Sequence, residues 1–297
     1  MSELIILGGG PAGASAALYA ARAGLGVTLV ENGPKALAKA HMIENYYGLT
    51  ASGPDMYAQG LAQAKALGVN VIHGEALDAE DTGSGFKLLV QQKDAQEGTA
   101  TVTEISAPAL LLATGAAASA LSVPGVKSLE GRGVSYCAVC DGFFFRGKTV
   151  GITGGGSFAL HEAEYLRHLA KEVIIFTDGA DPAAAQNAGY KTKNAKITAL
   201  TGTEHLTAVQ LAGGESVALD GLFIALGTAD SSAIARKLGA QLNGRFIKTD
   251  ADGATSIPGL FAAGDCTGAL AQVATAVSSG ALAGLAAVRY CRSLKQQ

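Results

Sequence analysis

Short apolar runs alternate with Ala-rich stretches over most of this sequence. The run Leu4–Leu7 is apolar throughout and has the length of one strand, which is typical of a strand buried on both faces of a parallel sheet. Ala14–Ala23 has helical periodicity and stops at Gly24, and Val27–Val30 predicts the next strand. This alternation of strand and helix predicts an α/β protein built on a parallel sheet.

Later parts of the chain continue the same pattern. Further strands are predicted by apolar runs at Val69–Ile72, Phe86–Val90, Ala109–Ala113, Thr149–Thr153, Val173–Phe176 and Leu222–Leu226. Polar residues predict turns at 79–85 and 94–98. The Ala- and Gly-rich stretch 272–290 predicts a last helix, whose Gly280 and Gly284 share one face and permit close packing.

Glycine-rich loops follow two of these predicted strands. The first, GGGPAG, has the Gly-x-Gly-x-x-Gly pattern of a dinucleotide-binding turn between a strand and a helix. In this pattern Gly8 permits the turn, Gly10 lets the backbone approach a pyrophosphate, and Gly13 lets the helix pack closely on the strand. Glu31, after the next strand, can accept hydrogen bonds from ribose hydroxyls. Residues 154–159 repeat the pattern as Gly-x-Gly-x-x-Ala, although tight helix–sheet packing without a ligand also explains this second loop.

Length, charge and cysteine content restrict the class of protein. With 297 residues, the chain is long for one domain and sufficient for two. Its formal net charge of −3, without a long run of Lys or Arg, excludes a strongly basic nucleic-acid binder. Four cysteines are too few for a secreted disulfide scaffold. We find neither a signal-peptide pattern nor an apolar run of about 18 residues, so we expect a cytoplasmic protein that binds no membrane.

The sequence CAVCDG contains the chain's one closely spaced pair of cysteines, Cys137 and Cys140. Such a pair can be half of a zinc site, a redox-active dithiol or a coincidence. The other cysteines and histidines supply no second pair at zinc spacing, so no metal site is expected. Asp141 follows directly and can take or give the proton that thiol–disulfide exchange moves. The glycine-rich loops on both sides favour the redox interpretation.

A further candidate for cofactor binding is the short predicted strand that ends in Gly264 and Asp265. Gly264 allows a ligand to approach the backbone closely, and the carboxylate of Asp265 can accept a hydrogen bond from a sugar or ribityl hydroxyl.

Six segments, taken in order and over nearly the whole chain, resemble the low-molecular-weight thioredoxin reductase family: GGGPAG with Glu31, IENYYG, the strand ending in ATGA, CAVCDG, GGGSFA and FAAGDCTGALAQVATAV. The resemblance implies a homodimeric flavoprotein that reduces thioredoxin. It implies two Rossmann-like three-layer nucleotide-binding domains of α/β class. The FAD domain is discontinuous, with residues 1–116 and 244–297, and the inserted central domain of residues 117–243 carries the dithiol.

The resemblance also implies the roles of individual residues. Cys140 is implied to be the thiol next to the flavin, Cys137 the thiol that attacks the partner's disulfide, and Asp141 the acid/base. The residues implied to lie along FAD are Gly8, Gly10, Pro11, Ala12, Gly13, Glu31, Asn45, Thr114, Gly115, Gly264, Asp265 and Gln272.

The central domain departs from the family pattern where the electron donor would bind. Family members that use NADPH carry arginines after the second glycine loop, which hold the 2′-phosphate. This chain has no arginine between Arg167 and Arg236. The strand that ends at Phe176 is followed by Thr177 and Asp178, and Asp178 would repel a phosphate. NADPH is therefore not expected as the donor.

Several electron-transfer schemes remain. In one, Asp178 accepts a hydrogen bond from a ribose 2′-hydroxyl, as Glu31 would in the first unit, and the enzyme uses NADH. In another, no pyridine nucleotide binds and ferredoxin reduces the flavin, as in the ferredoxin-dependent flavin thioredoxin reductases that the chain resembles. The missing arginines and the short stretch 177–221 favour ferredoxin. A third scheme is an oxygen-dependent dithiol oxidase, and the intact Cys-x-x-Cys-Asp disfavours a non-catalytic flavoprotein sensor.

Overall fold

The structure is a computed structural model that describes residues 2–93, 100–115, 121–136, 138–226 and 231–296. The chain forms two compact units, the first composed of Met1–Ala117 and Asp230–Gln297 and the second of Ala118–Ala229. The first unit is therefore discontinuous in sequence, and the second is inserted into it. The turn predicted at 94–98 lies outside the described residues.

The first unit is built from two stretches of chain. The first stretch contains β1 (Leu4–Leu7), α1 (Pro11–Arg22), β2 (Val27–Glu31), a 3-10 turn (Leu37–Lys39), β3 (Ile43–Tyr46), β4 (Leu49–Ala51), α2 (Gly53–Ala66), β5 (Asn70–Asp81), β6 (Phe86–Lys93), β7 (Ala100–Ala107) and β8 (Ala109–Leu112). The second unit then intervenes.

The second unit begins with α3 (Val126–Leu129) and the short strand β9 (Val134–Ser135). It continues with α4 (Ala138–Asp141), a 3-10 turn (Gly142–Phe145), β10 (Thr149–Thr153), α5 (Ser157–Arg167), β11 (Glu172–Phe176), α6 (Ala183–Asn187), β12 (Lys191–Lys193), β13 (Ile197–Thr201), β14 (Ala208–Leu211), β15 (Ser216–Ala218) and β16 (Gly221–Ile224). The chain returns to the first unit with α7 (Ser231–Lys237), β17 (Leu242–Asn243), β18 (Phe246–Ile247), β19 (Leu260–Ala262), a 3-10 turn (Gly264–Thr267) and α8 (Val273–Leu294).

A seven-stranded sheet forms the centre of the first unit, in the order β19-β8-β1-β2-β5-β6-β7. β1 pairs in parallel with β2 and β8, and each of its residues is buried, as its continuous apolar run predicted. β5 is longer than predicted, because it runs parallel to β2 and then pairs antiparallel with β6. Residues 79–81, predicted as part of a turn, therefore lie in a strand, where buried Ala79 pairs with Leu88.

α8 packs against α1 through small residues. A Cβ added to Gly280 would lie 2.1 Å from the carbonyl oxygen of Ala12, and one added to Gly284 would lie 2.7 Å from that of Ala16. Only glycine permits this approach, as the shared face predicted. By length and composition α8 could also cross a membrane, but 39% of its most apolar window is buried. A single helix of this kind is weak evidence for a membrane span, because core helices pass the same test.

Two sheets form the second unit. A parallel sheet has the order β12-β11-β10-β16-β9, and an antiparallel sheet has the order β13-β14-β15. A core of aliphatic and aromatic side chains, among them fully buried Phe176 and Leu222, packs between these elements. The predicted α/β class is confirmed, and the strand–glycine loop–helix–strand repeat occurs once in each unit.

The chain returns to the first unit earlier than the predicted boundary at residue 244. Lys237 of α7 forms an ion pair with Asp78 of β5, and the hydroxyl of Ser232 donates to the carbonyl of Arg245 at 2.7 Å. Residues 231–243 thus pack on the first unit, although the prediction assigned them to the central domain. Their sequence carries no glycine motif or charge run that would identify the unit on which they pack.

Candidate functional site

The first glycine loop closes tightly on one side and leaves an open face on the other. Gly8 has φ +115°, and a Cβ there would lie 2.3 Å from the carbonyl oxygen of Ala113. A Cβ on Gly13 would lie 1.8 Å from the carbonyl oxygen of Gly8, whereas one on Gly10 would meet nothing within 4 Å. Gly10 also precedes α1, with Pro11 at the first helical position. The open face therefore lies where free amides of the helix can receive a phosphate.

Glu31 lies at the end of β2, as predicted, and is buried. Its carboxylate accepts a hydrogen bond from the amide of Gly33 at 2.7 Å and further ones from the hydroxyl of Tyr57 and the imidazole of His73. Burial acts to raise the pKa of Glu31, but these hydrogen bonds outweigh it and lower that pKa. Burial and the bond to Glu31 raise the pKa of Tyr57. These three contacts hold Glu31 ionised and in one position. The sequence motif did not predict them.

Asn45 and Gln272, two of the residues implied to lie along FAD, are far apart in the sequence and lie in contact. The side-chain amide of Asn45 donates to Oε1 of Gln272 at 2.9 Å. Gly264 has φ +77°, and a Cβ there would lie 2.9 Å from the Cβ of Ala12, which brings the end of β19 against the start of α1. The predicted residues of the first glycine loop and of the Gly-Asp segment are therefore brought together.

Asp265 carries a half-buried carboxyl group whose pKa is raised by burial. Within the part of the chain that the structure describes, no group donates a hydrogen bond to this carboxylate. A half-buried carboxylate without a donor is costly unless a ligand supplies one. The position is therefore suited to a ligand hydroxyl.

Thr114 forms a reciprocal set of hydrogen bonds with Ser231, the first residue of α7. The amide of Thr114 donates to the hydroxyl of Ser231 at 3.1 Å, and the two hydroxyl oxygens are 2.8 Å apart. The amide of Ser231 donates back to the hydroxyl of Thr114 at 2.8 Å. Gly115 follows with φ +81° and open space at its Cβ position. Thr114 is thus held by a residue that the sequence analysis did not identify.

These observations fit FAD in the first unit. The open face at Gly10 can receive the pyrophosphate, and Asp265 lacks a donor within the described chain. Buried Glu31 accepts three hydrogen bonds and keeps about one further acceptor position for a ribose hydroxyl. Among the described residues, no group of three or more His, Cys, Asp or Glu side chains could hold a metal ion.

The dithiol segment belongs to the second unit. Cys137 lies outside the described residues, and the backbone of Cys140 lies in α4. Asp141 is half-buried, and its Oδ2 accepts a hydrogen bond from the hydroxyl of Ser135 at 2.7 Å. Ser135 ends β9, which pairs with β16 in the parallel sheet. The proposed acid/base is therefore held by a strand of the sheet.

Exposed aromatic side chains directly follow the dithiol segment and were missed by the sequence analysis. Phe143 is 65% exposed and Phe144 69% exposed, and their rings form an edge-to-face pair with centroids 6.3 Å apart. The guanidinium of Arg146 lies 5.2 Å from the ring centroid of Phe143. Two more exposed cations, Lys148 and Lys171, are joined by a backbone hydrogen bond of 2.8 Å. Exposed aromatic side chains with an arginine packed on one of them are typical of a protein-binding surface.

Backbone hydrogen bonds show which residues of the two glycine loops correspond. The amide of Gly8 donates to the carbonyl of Val30, and the amide of Gly154 donates to the carbonyl of Phe176, both at 2.8 Å. The residue after Phe176 therefore takes the position of Glu31 in the first unit. That residue is Thr177, and Asp178, for which the sequence suggested this role, lies one position further along the chain.

Thr177 and Asp178 both form hydrogen bonds with other parts of the second unit. Thr177 is 2% exposed, and its hydroxyl donates to Oδ1 of Asn194 at 2.7 Å. Asp178 has φ +51°, and its Oδ1 accepts a hydrogen bond from the amide of Ile197 at 2.9 Å. Sequence position alone could not show this one-residue offset, because it depends on the register of β10 and β11.

Gly155 of the second loop has the position of Gly9 in the first, where a Cβ would lie 2.7 Å from the Cβ of Glu31. A Cβ on Gly155 would lie 3.3 Å from the Cβ of Ala180 and 3.5 Å from the carbonyl oxygen of Asp181. The segment after β11 therefore folds back against the loop, at the edge where the adenosine of a dinucleotide would lie in this type of fold.

Comparisons with known proteins agree with the fold. The sequence pattern of the family described as pyridine nucleotide-disulphide oxidoreductase matches residues 2–280. The first site and this match define a flavin-containing disulfide oxidoreductase.

Relatives that match this chain over nearly its full length identify the family more closely. The thioredoxin reductase of Listeria monocytogenes is 34% identical, with 99% of this chain and 95% of the relative covered, and that of Bacillus subtilis is 32% identical, with 99% and 96% covered. The chain belongs to the low-molecular-weight thioredoxin reductase family, and its cofactor is FAD. The predicted family, Rossmann-like fold and cofactor are thus confirmed.

Two solved structures are similar over nearly their whole length. The atypical thioredoxin reductase TRi from Desulfovibrio vulgaris Hildenborough is 37% identical, with a TM-score of 0.87 and 99% of each chain covered. A ferredoxin-flavin thioredoxin reductase from Clostridium acetobutylicum is 25% identical, with a TM-score of 0.72 and 99% and 98% of the chains covered.

Proposed function

We propose that this protein reduces the disulfide of a thioredoxin through FAD and the Cys137–Cys140 pair, and that ferredoxin, not NADPH or NADH, supplies the electrons. The family and the relatives named thioredoxin reductase support the substrate. The observation that carries the donor assignment is the geometry after β11, where Thr177 replaces the ribose-binding acid.

A pyridine dinucleotide would meet two obstacles in the second unit. Thr177 offers a hydroxyl already bonded to Asn194 where a carboxylate should accept from the ribose. The chain also lacks an arginine from residue 168 to 235 that could bind a 2′-phosphate. The similarity to the ferredoxin-flavin thioredoxin reductase is consistent with this reasoning.

The chain's own residues account for the exchange with the partner. FAD, when bound, stores two electrons and can accept them one at a time, which suits an iron–sulfur donor. The reduced Cys137 attacks the partner's disulfide as a thiolate and forms a mixed disulfide. Cys140 then attacks this bond and releases the second partner thiol. Asp141, held by Ser135, transfers the proton that the leaving thiolate requires.

The surface beside the dithiol supports a protein substrate. Phe143 and Phe144 are exposed directly after the dithiol segment, with Arg146 packed on Phe143. Exposed Lys148 and Lys171 add positive charge to the same unit. A protein with an apolar patch and acidic residues around its disulfide would match this surface.

We also propose that the protein is a homodimer, as the family resemblance implies. α8 exposes Leu282 and Leu285, which lie three residues apart and therefore on one face of the helix. Sedimentation analysis of the FAD-loaded protein should give the mass of two chains, and a monomer at micromolar concentration would contradict the proposal.

Anaerobic titration tests the donor assignment directly. We expect reduced ferredoxin to bleach the flavin and to support reduction of thioredoxin, whereas NADPH and NADH leave the flavin oxidised on the same timescale. Rapid bleaching by NADPH or NADH would refute the donor assignment and leave the thioredoxin reductase assignment intact. Rapid reoxidation by air coupled to consumption of small dithiols would instead indicate a dithiol oxidase.

A further inference from the structure

A carboxylate is buried beside the dithiol segment and takes no part in the exchange described above. Glu162, on α5, is 6% exposed, and its Oε2 accepts a hydrogen bond from the amide of Ala138 at 2.6 Å. Ala138 is the first residue of α4 and directly follows Cys137. A buried carboxylate is costly, so its position next to a redox segment requires an explanation.

Small and apolar residues lie close to this hydrogen bond. Ala138 and Ala163 are fully buried. A Cβ on Gly142, just after α4, would lie 3.0 Å from a methyl group of Leu166. Leucine or methionine at position 162 would fill such an interface without the cost of a buried carboxylate. Packing alone therefore does not explain the glutamate.

We propose that Glu162 is a positioning residue that anchors the start of the dithiol segment and, through its charge, keeps the Cys137–Cys140 pair strongly reducing. The inference depends on the proposed function, because it assumes that these two cysteines form the redox pair.

The direction of the effect follows from electrostatics. A free amide at the start of a Cys-x-x-Cys segment can stabilise a thiolate, but here Glu162 accepts from the first amide of α4. A carboxylate nearby also disfavours a second negative charge. Reduction of the disulfide by two electrons and one proton gives a thiol and a thiolate, and both effects destabilise that thiolate relative to the disulfide. The midpoint potential is therefore lowered, and electrons pass more readily to the partner's disulfide.

The substitution Glu162→Gln tests this inference, because it removes the charge and retains the size and an acceptor oxygen. We expect the dithiol–disulfide equilibrium constant to shift about tenfold toward the dithiol, which is about 30 mV for a two-electron couple. The full-length FAD-loaded protein is equilibrated with dithiothreitol or glutathione redox buffers, and the free thiols are counted by alkylation and mass spectrometry. A merely structural residue would change stability or turnover without this shift.

Glu164→Gln is the matched control. Glu164 lies on the same helix but is exposed, and it bonds to Tyr190 and Arg167. We expect the dithiol–disulfide equilibrium constant of this variant to stay within about twofold of the wild-type value, because solvent screens exposed charges. A wild-type equilibrium in E162Q, even with slower turnover, overturns the inference.

A second variant covers the case in which E162Q does not fold. Glu162→Asp keeps the carboxylate but withdraws it from the amide of Ala138 by one methylene group. We expect a smaller shift in the same direction, and a wild-type equilibrium in E162D overturns the inference equally. If the wild-type protein forms no reversible disulfide, the proposed function itself fails. If the disulfide forms and the variants leave its equilibrium unchanged, only the role of Glu162 is lost.

Discussion

The open face of the first glycine loop leads to a sharp prediction for Gly10→Ala. Gly10 has φ −69° and ψ −175°, which alanine adopts without strain, and its Cβ would meet no atom of the protein within 4 Å. Alanine is a poorer N-cap than glycine by about 1 kcal/mol, but it restricts the unfolded chain by about 0.4–1 kcal/mol. These terms offset each other, so the FAD-free variant should unfold within about 1 kcal/mol of the wild type.

The same substitution should weaken FAD binding strongly. The added methyl group occupies the space through which a pyrophosphate approaches the backbone of the loop. Displacement of the phosphate weakens hydrogen bonds to charged oxygens, each worth about 1.5–3 kcal/mol. Loss of the equivalent of one to two such bonds is about 3 kcal/mol, which corresponds to a Kd about 100-fold higher.

The assay compares two variants in the same loop. FAD affinity is measured by quenching of flavin fluorescence, and the stability of the FAD-free protein by urea denaturation. Gly13→Ala is the contrasting variant, because its Cβ would lie 1.8 Å from the carbonyl oxygen of Gly8 and the turn cannot close around it. We expect G13A to lose both stability and FAD. A G10A protein that binds FAD with wild-type affinity would refute the placement of the pyrophosphate.

Four further changes test the rest of the site. Asp141→Asn should slow thioredoxin reduction about 100-fold while FAD stays bound, as stopped-flow turnover and absorbance would show; an unchanged rate excludes its acid/base role. Replacing Phe143 and Phe144 together by Ala should raise KM for thioredoxin about tenfold and leave flavin reduction by the donor unchanged. Burial raises the pKa of Asp265 in the folded protein above 3.8, the ordinary value that it has in the unfolded chain. The free energy of unfolding of the FAD-free protein therefore falls as the pH rises from 3.8 through the raised pKa. Asp265→Asn should therefore melt higher than the wild type at pH 7 but not at pH 3, and should bind FAD more weakly; equal melting at pH 7 contradicts this. Tyr57→Phe removes a donor to a buried carboxylate and should lower the free energy of unfolding by about 1–3 kcal/mol, measured in urea.

Local sequence patterns were sufficient to predict those features whose structure depends on residues adjacent in the sequence. The first glycine loop could be recognised because Gly8 and Gly13 have backbone roles that no other residue performs. The buried strand β1 could be recognised from its continuous apolar run. The contact between Asn45 and Gln272, separated by 227 positions, followed only from the family resemblance, since no local pattern joins them.

Other features depend on tertiary register and could not be predicted. Thr177, not Asp178, corresponds in position to Glu31 because of how β11 pairs with β10. Ser231 carries no motif, yet it holds Thr114 through backbone and hydroxyl groups. Glu162 is one more acidic residue of an amphipathic helix until the structure places it against Ala138. In each case the partner lies far along the chain or in a strand whose register is set by the whole sheet.

The close approach of α8 to α1 affects the order in which the protein matures on the ribosome. Ala12 lies against Gly280, so the helix that follows the first glycine loop gains its neighbour only when almost the entire polypeptide has been translated. The strands of the inserted unit are all available once residue 224 has emerged. During translation the second unit can therefore fold before the first unit is complete. Binding of FAD then becomes a late event in the biogenesis of the protein.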